Sequence, residues 1–377
     1  ARMALSPICG IGTQTTRAYT RQMQETMTLG RHIPTLDGWR AVAVLLVIGG
    51  HSSRMLRESD SQIGNLAARF FAHGGFGVDV FFAISGFLIV TLLLREKMAQ
   101  PIDLPGFYKR RAFRILPPIV AYMGVIIAMA FAGLIPLEPR EVAAVFGFYR
   151  NYISGNWYTG HFWSLAIEEH FYLVVPLVIA LCKIKRAIAI AGMAAIACIV
   201  IRTVEWSLFP DWKVEFRTES RFDALMFGSL FAMLAHAQSS RSWMTKRLTG
   251  WVALGTLAMA IVLLVAIPVM PVRRTVVAIA LPVILGYSIL RPRELLGRFL
   301  ELPWLRYVGR ISYSLYIWQM LFFMPYAPDM PRVQSFPIAL IGTVLCALAS
   351  YYFVERPAMR WARSKPRGAL TTTQAAG

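Results

Sequence analysis

Apolar residues run through this chain in long blocks separated by short, polar and mostly basic segments. The pattern shows neither the strict alternation of a half-buried strand nor the one-sided stripe of a soluble helix. Ten blocks, centred near Leu45, Ile84, Met123, Leu173, Ala195, Gly228, Met259, Leu281, Ile317 and Val344, approach the roughly 20 residues that carry a helix across a bilayer. They predict an all-α polytopic membrane protein with about ten transmembrane helices in one bundle over residues 33–357. Pro34 and Asp37 mark the start of the first helix. Residues 1–32 carry Arg2, Arg17, Arg21 and Arg31 but no continuous apolar stretch, so they predict a cytoplasmic tail rather than a signal peptide. Residues 358–377, with Thr371-Thr372-Thr373, predict a second, disordered tail.

Composition agrees with the pattern. The chain is 56% hydrophobic and 16% charged, with a mean hydropathy of +0.53, too apolar for a soluble protein of this length. A net charge of +19 raises the question of nucleic acid, and the position of the charges answers it. With the N-terminus in the cytoplasm and ten alternating crossings, 26 of the 39 Lys and Arg residues fall on the cytoplasmic side. That is the positive-inside bias of a membrane protein, with both termini cytoplasmic in a bacterial inner membrane. No nucleic-acid partner is expected. Cys9, Cys182, Cys198 and Cys346 show no CxxC spacing and predict free thiols rather than disulfides or a zinc site.

A few polar groups stand inside the apolar blocks, and these are the candidate chemistry. Arg40 and His51 lie eleven residues apart in the first helix; eleven steps turn a helix about 1100°, some 20° past three full turns, which puts both on one stripe roughly 16 Å apart. Such a stripe is costly in lipid unless it faces a polar cavity. His51 is a candidate general base, the alternative being a histidine that packs between helices. Arg40 could bind an anionic group or extend its guanidinium to the interface. Arg111 and Arg114, with Lys109 and Arg110 beside them, could bind the phosphates of a cytosolic donor or simply face anionic lipid.

Glu168 and Glu169, with His161 and His170, lie within about two turns of the outer start of the predicted fourth helix. The run lacks the i, i+4 histidine pair of a metallohydrolase, so no metal is expected. Glu168 could instead orient an acceptor hydroxyl or polarise His51, with Arg221 and Asp223 as pairing partners. Ser85 and Gly86 are small enough to admit a second helix closely. Trp157, Tyr158, Trp206 and Trp212 would suit stacking on a sugar or an interfacial belt.

Taken in order, these segments resemble the membrane-bound acyltransferase family 3 of O-acyltransferases. The matching pieces run from Ile33 to Pro357: Leu36-Asp37-Gly38-Trp39-Arg40 with the spacing to His51, Gly77-Val78-Asp79-Val80-Phe81-Phe82 through Ser85-Gly86-Phe87-Leu88-Ile89, Arg111-x-x-Arg114, Trp163-Ser164-Leu165-Ala166-Ile167-Glu168-Glu169 through Phe171-Tyr172 and Pro176, Arg221-x-Asp223, and Ser312-Tyr313-Ser314-Leu315-Tyr316. The resemblance implies transfer of an acyl group, often acetyl, from acyl-coenzyme A to a hydroxyl of a carbohydrate, lipid-linked glycan or secondary metabolite. It implies His51, Glu168 and Arg40 as catalytic groups, Arg110, Arg111 and Arg114 as donor-binding groups, and Trp163, Asp79, Arg221, Asp223 and Tyr313 as substrate contacts. Membrane lipid and the hydroxyl acceptor are the expected partners, and a homo-oligomer is left open. Where the family often has His after Tyr-Leu-Trp of the ninth helix, this chain has Gln319. An amide is no base at neutral pH, so that helix is expected to position rather than react. The rival reading is a proton-coupled transporter that uses His51, Glu168 and Asp223 as a relay.

Overall fold

The computed structural model describes residues 32–57, 62–71, 73–209, 215–324 and 335–364. Residues 1–31 of the predicted N-terminal tail, Cys9 among them, together with Trp212 and the segment from Lys365 onward, lie outside the described residues. Among the described residues the regular elements are all helical. The helices that build the site are α1 (Pro34–Arg57), α2 (Phe76–Ala99), α3 (Leu104–Phe131), the short α4 (Trp157–Gly160) leading into α5 (Phe162–Leu181), α6 (Ile184–Leu208), α7 (Asp223–His236), α8 (Gly250–Ala266), α9 (Met270–Leu290), α10 (Pro303–Arg310), α11 (Ser312–Phe322), α12 (Ile338–Ser350) and α13 (Arg356–Ser364).

Each of the ten predicted centres falls inside one of these helices, but they do not all make full spans. Among the described residues, six helical segments are long and apolar enough to cross a membrane, and a seventh is reached if Ser240–Arg247 and Gly250–Ala266, bent by 77°, count as one. α7 has 14 residues and α11 has 11, so each is shorter than the roughly 30 Å hydrocarbon core. α1 has the length but carries Asp37, Arg40 and His51 among its apolar residues. α13 covers the first residues of the segment expected as a tail, running to Ser364. It docks on α3, where the ring of Trp361 lies 4.7 Å from that of Phe113 and under the Lys109 ammonium at 5.8 Å.

Helix ends and crossings follow local chemistry. Asp103 caps α3 by accepting from the Gly106 amide at 2.9 Å, with Pro105 in the first turn where its missing N–H costs nothing. Lys97 at the end of α2 donates to the carbonyls of Ile179, Ala180 and Cys182 at 2.5, 3.2 and 2.8 Å. A cation there satisfies carbonyls that α5 leaves open and complements its dipole. The segment before α4 is organised by a buried carboxylate: Glu141 accepts from the Asn156 amide at 2.5 Å and the Thr159 hydroxyl at 3.0 Å, with Arg150 alongside at 3.9 Å.

The α2–α7 crossing is set by glycine. A Cβ on Gly86 would overlap the Leu225 carbonyl, and one on Gly228 the Ala83 carbonyl, so the backbones meet at van der Waals distance. Gly86 thus makes the close approach its size predicts. At the N-terminal end of α1, Gly38 and Gly309 admit the backbones of Leu300 and Asp37, and Trp39 donates to Ser288 at 2.8 Å. These contacts fix the turn that carries Arg40. Gly228→Val should therefore separate α2 from α7 and destabilise the bundle by about 3 kcal/mol, the upper end for overpacking. A melting curve in detergent micelles, with Gly255→Val as the control in open space, measures the difference.

Candidate active site

Five helices converge on one cavity of about 90 Å³. α1 contributes Arg40, α2 Phe81, Phe82, Ser85 and Leu88, α3 Arg111 and Arg114, α5 Ser164, Glu168 and Tyr172, and α11 Ser312, Tyr313 and Tyr316. Arg111 and Arg114 reach it together because residues three apart share a helix face. The Arg111 guanidinium lies over the Tyr172 ring at 4.9 Å and the Phe107 ring at 5.6 Å, contacts that hold a cation in place without neutralising it. Glu168 accepts from Ser85 and from Tyr172, each at 3.0 Å. Tyr313 is pinned by its hydroxyl donating to the Ile115 carbonyl at 2.8 Å. The lining thus carries three guanidinium groups and one carboxylate, a surplus of positive charge in an apolar surround that suits an anionic ligand.

His51 does not line this cavity, contrary to the expectation that it and Arg40 open onto one space. Its Nδ1 lies 3.1 Å from Oε1 of Gln319, and its ring meets that of Trp157 edge-on at 5.3 Å. The stripe is real, but the cavity takes in only its first part. On α11 the lining residues are Ser312, Tyr313 and Tyr316, whereas Gln319 stands one turn further on. Tyr316 closes the gap between the two places: its hydroxyl donates to the His161 carbonyl at 3.0 Å and accepts from Ser164 at 2.6 Å, and its ring packs against Phe81 at 6.1 Å. Gln319, the partner of His51, thus stands about one helical turn of α11 beyond the lining residue Tyr316, roughly 5 Å of rise.

The sequence profile of a family described as an acyltransferase domain matches residues 33–355. The chain belongs to this acyltransferase family. It is similar to the O-acetyltransferase OatA of Staphylococcus aureus strain NCTC 8325 / PS 47, with 27% identity over 372 residues, 88% of this chain and 58% of the relative. The same figures hold for OatA of strain COL. The chain spans about 58% of the length of these curated relatives. No solved structure matches it.

The other residues singled out from sequence divide sharply. Asp79, Arg221 and Asp223 are 3, 2 and 3% exposed and belong to a buried ionic network rather than to the cavity wall. Asp79 pairs with Arg221 at 3.0 Å and with Arg274 at 2.7 Å, while Asp223 pairs with Arg202 at 2.8 Å. The Arg221 guanidinium lies 5.4 Å from the Trp163 ring and 6.0 Å from that of Phe82. Trp163, packed on Phe82 and Phe216, thus joins this network to the cavity, which Phe82 lines. Arg110 turns away to Glu96 and Asp103, at 3.8 Å each, and is off the cavity. Glu169 also lies off it, and His170 is taken by Thr218 at 2.7 Å. His161 sits among the rings of Tyr122, Phe162 and Tyr316. Among the described residues no three His, Cys, Asp or Glu side chains are placed to hold a metal.

Several residues of the site carry no motif signal strong enough to be picked out alone. Tyr172 and Tyr316 are legible only as parts of longer motifs. Ser85, read as a small residue for packing, is a direct partner of Glu168. Off the cavity, Arg202 and the buried Glu355, which accepts from the Ser314 hydroxyl at 2.8 Å, were detectable in principle as charges at the ends of apolar blocks. Asp79→Asn should break the buried pairs to Arg221 and Arg274 and cost about 3–5 kcal/mol. The expected result is a lower melting temperature with donor KM nearly unchanged in the protein that folds; a raised KM with normal stability would instead place Asp79 at the substrate.

Proposed function

We propose that the protein is a membrane O-acyltransferase that moves an acyl group, acetyl by analogy with the names of its relatives, from acyl-coenzyme A to a hydroxyl. The acceptor class is a carbohydrate, a lipid-linked glycan or a secondary metabolite. The observation that carries the reading is the convergence of Arg40, Arg111 and Arg114 with Glu168 on one cavity. Phosphates of the donor meet Arg111 and Arg114, whose planar guanidinium groups bind phosphate oxygens in pairs. Arg40, roughly 16 Å from His51 along α1, adds positive charge to the cavity and so helps hold the anionic donor.

The reaction needs a base, and His51 supplies it. The imidazole takes the proton of the acceptor hydroxyl while that oxygen bonds to the thioester carbonyl carbon. The carbon–sulfur bond then breaks, and the thiolate leaves with a proton returned from His51. Glu168, held by Ser85 and Tyr172, orients the acceptor hydroxyl. Because His51 does not line the cavity, the acyl end of the donor passes Tyr316 to meet it, which assigns Tyr316 and Ser164 to the passage between donor and base. The donor enters from the cytoplasm and both termini lie on that side, in a bacterial cytoplasmic membrane.

Purified protein in lipid nanodiscs, supplied with radiolabelled acetyl-coenzyme A and a panel of glycans, tests this directly. His51→Ala should lower kcat about 10²–10⁴-fold, the usual worth of a general base. Arg114→Ala should raise the donor KM about 10- to 100-fold through loss of a charge-assisted contact. A wild-type protein that neither binds nor consumes the donor overturns the proposal. Donor hydrolysis without acceptor would replace direct transfer with an acyl-His51 intermediate.

A further inference from the structure

A neutral imidazole acts as a base only through the ring nitrogen that lacks a proton. In His51 the nitrogen Nδ1 lies 3.1 Å from an amide oxygen, Oε1 of Gln319. That oxygen can only accept, so the contact puts the proton on Nδ1 and leaves the lone pair on Nε2. A histidine side chain free in water prefers the opposite tautomer, and the protein must therefore impose this one.

Gln319 is built to do so. It is 0% exposed and sits on α11, a helix held in register by Tyr316 through Ser164 and the His161 carbonyl. The next residue is anchored too, since the Trp157 indole donates to the Met320 carbonyl at 3.0 Å. The same Trp157 ring meets His51 edge-on. The imidazole is thus in contact with both an amide and an indole. The titratable group nearby is His161, which interacts with His51 electrostatically. Among the described residues no carboxylate is hydrogen-bonded to His51 in place of the amide. A carboxylate would also fix the tautomer, but it would bring a second charge into the apolar bundle, with its desolvation cost.

We propose that Gln319 is the positioning residue of the reaction: it holds His51 in the Nδ1–H tautomer so that Nε2 faces the reacting hydroxyl. The inference rests on His51 being the base. It gives the ninth predicted helix, where an amide stands in place of histidine, a defined task of the kind a histidine's orienting partner performs in a catalytic triad.

The test uses the full chain in nanodiscs with nitrogen-15 labelled histidine, the His51 signals being assigned by their loss in His51→Ala. Wild-type protein should show a protonated Nδ1 and a bare Nε2. Gln319→Leu, which removes the acceptor at similar volume, should shift the signal toward Nε2–H and lower kcat about 10- to 100-fold with donor KM within about twofold. Gln319→Glu restores an accepting oxygen and should recover the Nδ1–H tautomer. A wild-type His51 protonated on Nε2 overturns the inference, because the amide would then be turned with its NH₂ toward the ring. So does a Gln319→Leu variant with unchanged kcat. If His51→Ala itself retains activity, the base assignment fails independently of anything Gln319 does.

Discussion

The cost of holding charge inside an apolar bundle governs this structure. A guanidinium or carboxylate among lipid-facing helices is tolerated only if it is paired, hydrogen-bonded or open to a cavity, and the protein uses all three solutions within a few turns of one another. Asp79, Arg221 and Arg274 pair, as do Arg202 and Asp223. Glu168 is satisfied by two hydroxyls. Arg40, Arg111 and Arg114 open onto the cavity. Of the three, Arg40 also pairs with Asp37 at 3.4 Å, while Arg111 lies over the rings of Tyr172 and Phe107.

That division separates scaffold from site. The ionic network ties α2, α6, α7 and α9 together and stands behind Phe82 and Trp163, which pass its rigidity to the cavity wall. Around it, Gly86 and Gly228 bring α2 and α7 into backbone contact, and Ser85, the neighbour of Gly86, is carried to Glu168. A packing choice at one residue therefore positions a hydrogen bond at the next. On the other side of the cavity α11 plays a double part: its first turns line the space with Ser312, Tyr313 and Tyr316, and its next turn presents Gln319 to His51.

Much of this was legible in the residues. The positions of the helices followed from the apolar blocks, since their centres depend only on where the chain is greasy. The grouping of Arg111 with Arg114 followed from their three-residue spacing, which dictates a common face on any helix. The shared stripe of Arg40 and His51 was equally readable, but which of the two lines the cavity was not: that depends on what neighbouring helices place against each position, and His51 meets Gln319 and Trp157 instead. Asp79, Arg221 and Asp223 show the same gap. Their motifs marked them as important, but a charge that binds substrate and a charge that binds another charge look identical in sequence, and Arg202 and Arg274 stand far from them along the chain.

By itself, then, the sequence determined the all-helical membrane architecture, the family and the types of chemistry present, because hydropathy, local spacing and motif order are properties of consecutive residues. Only the tertiary structure decided which helices are full spans, which ionisable groups are consumed by one another, and that His51 answers to Gln319 rather than to the arginines. Those outcomes rest on distances between residues up to 268 positions apart, and such distances are set by helix packing, about which local pattern is silent.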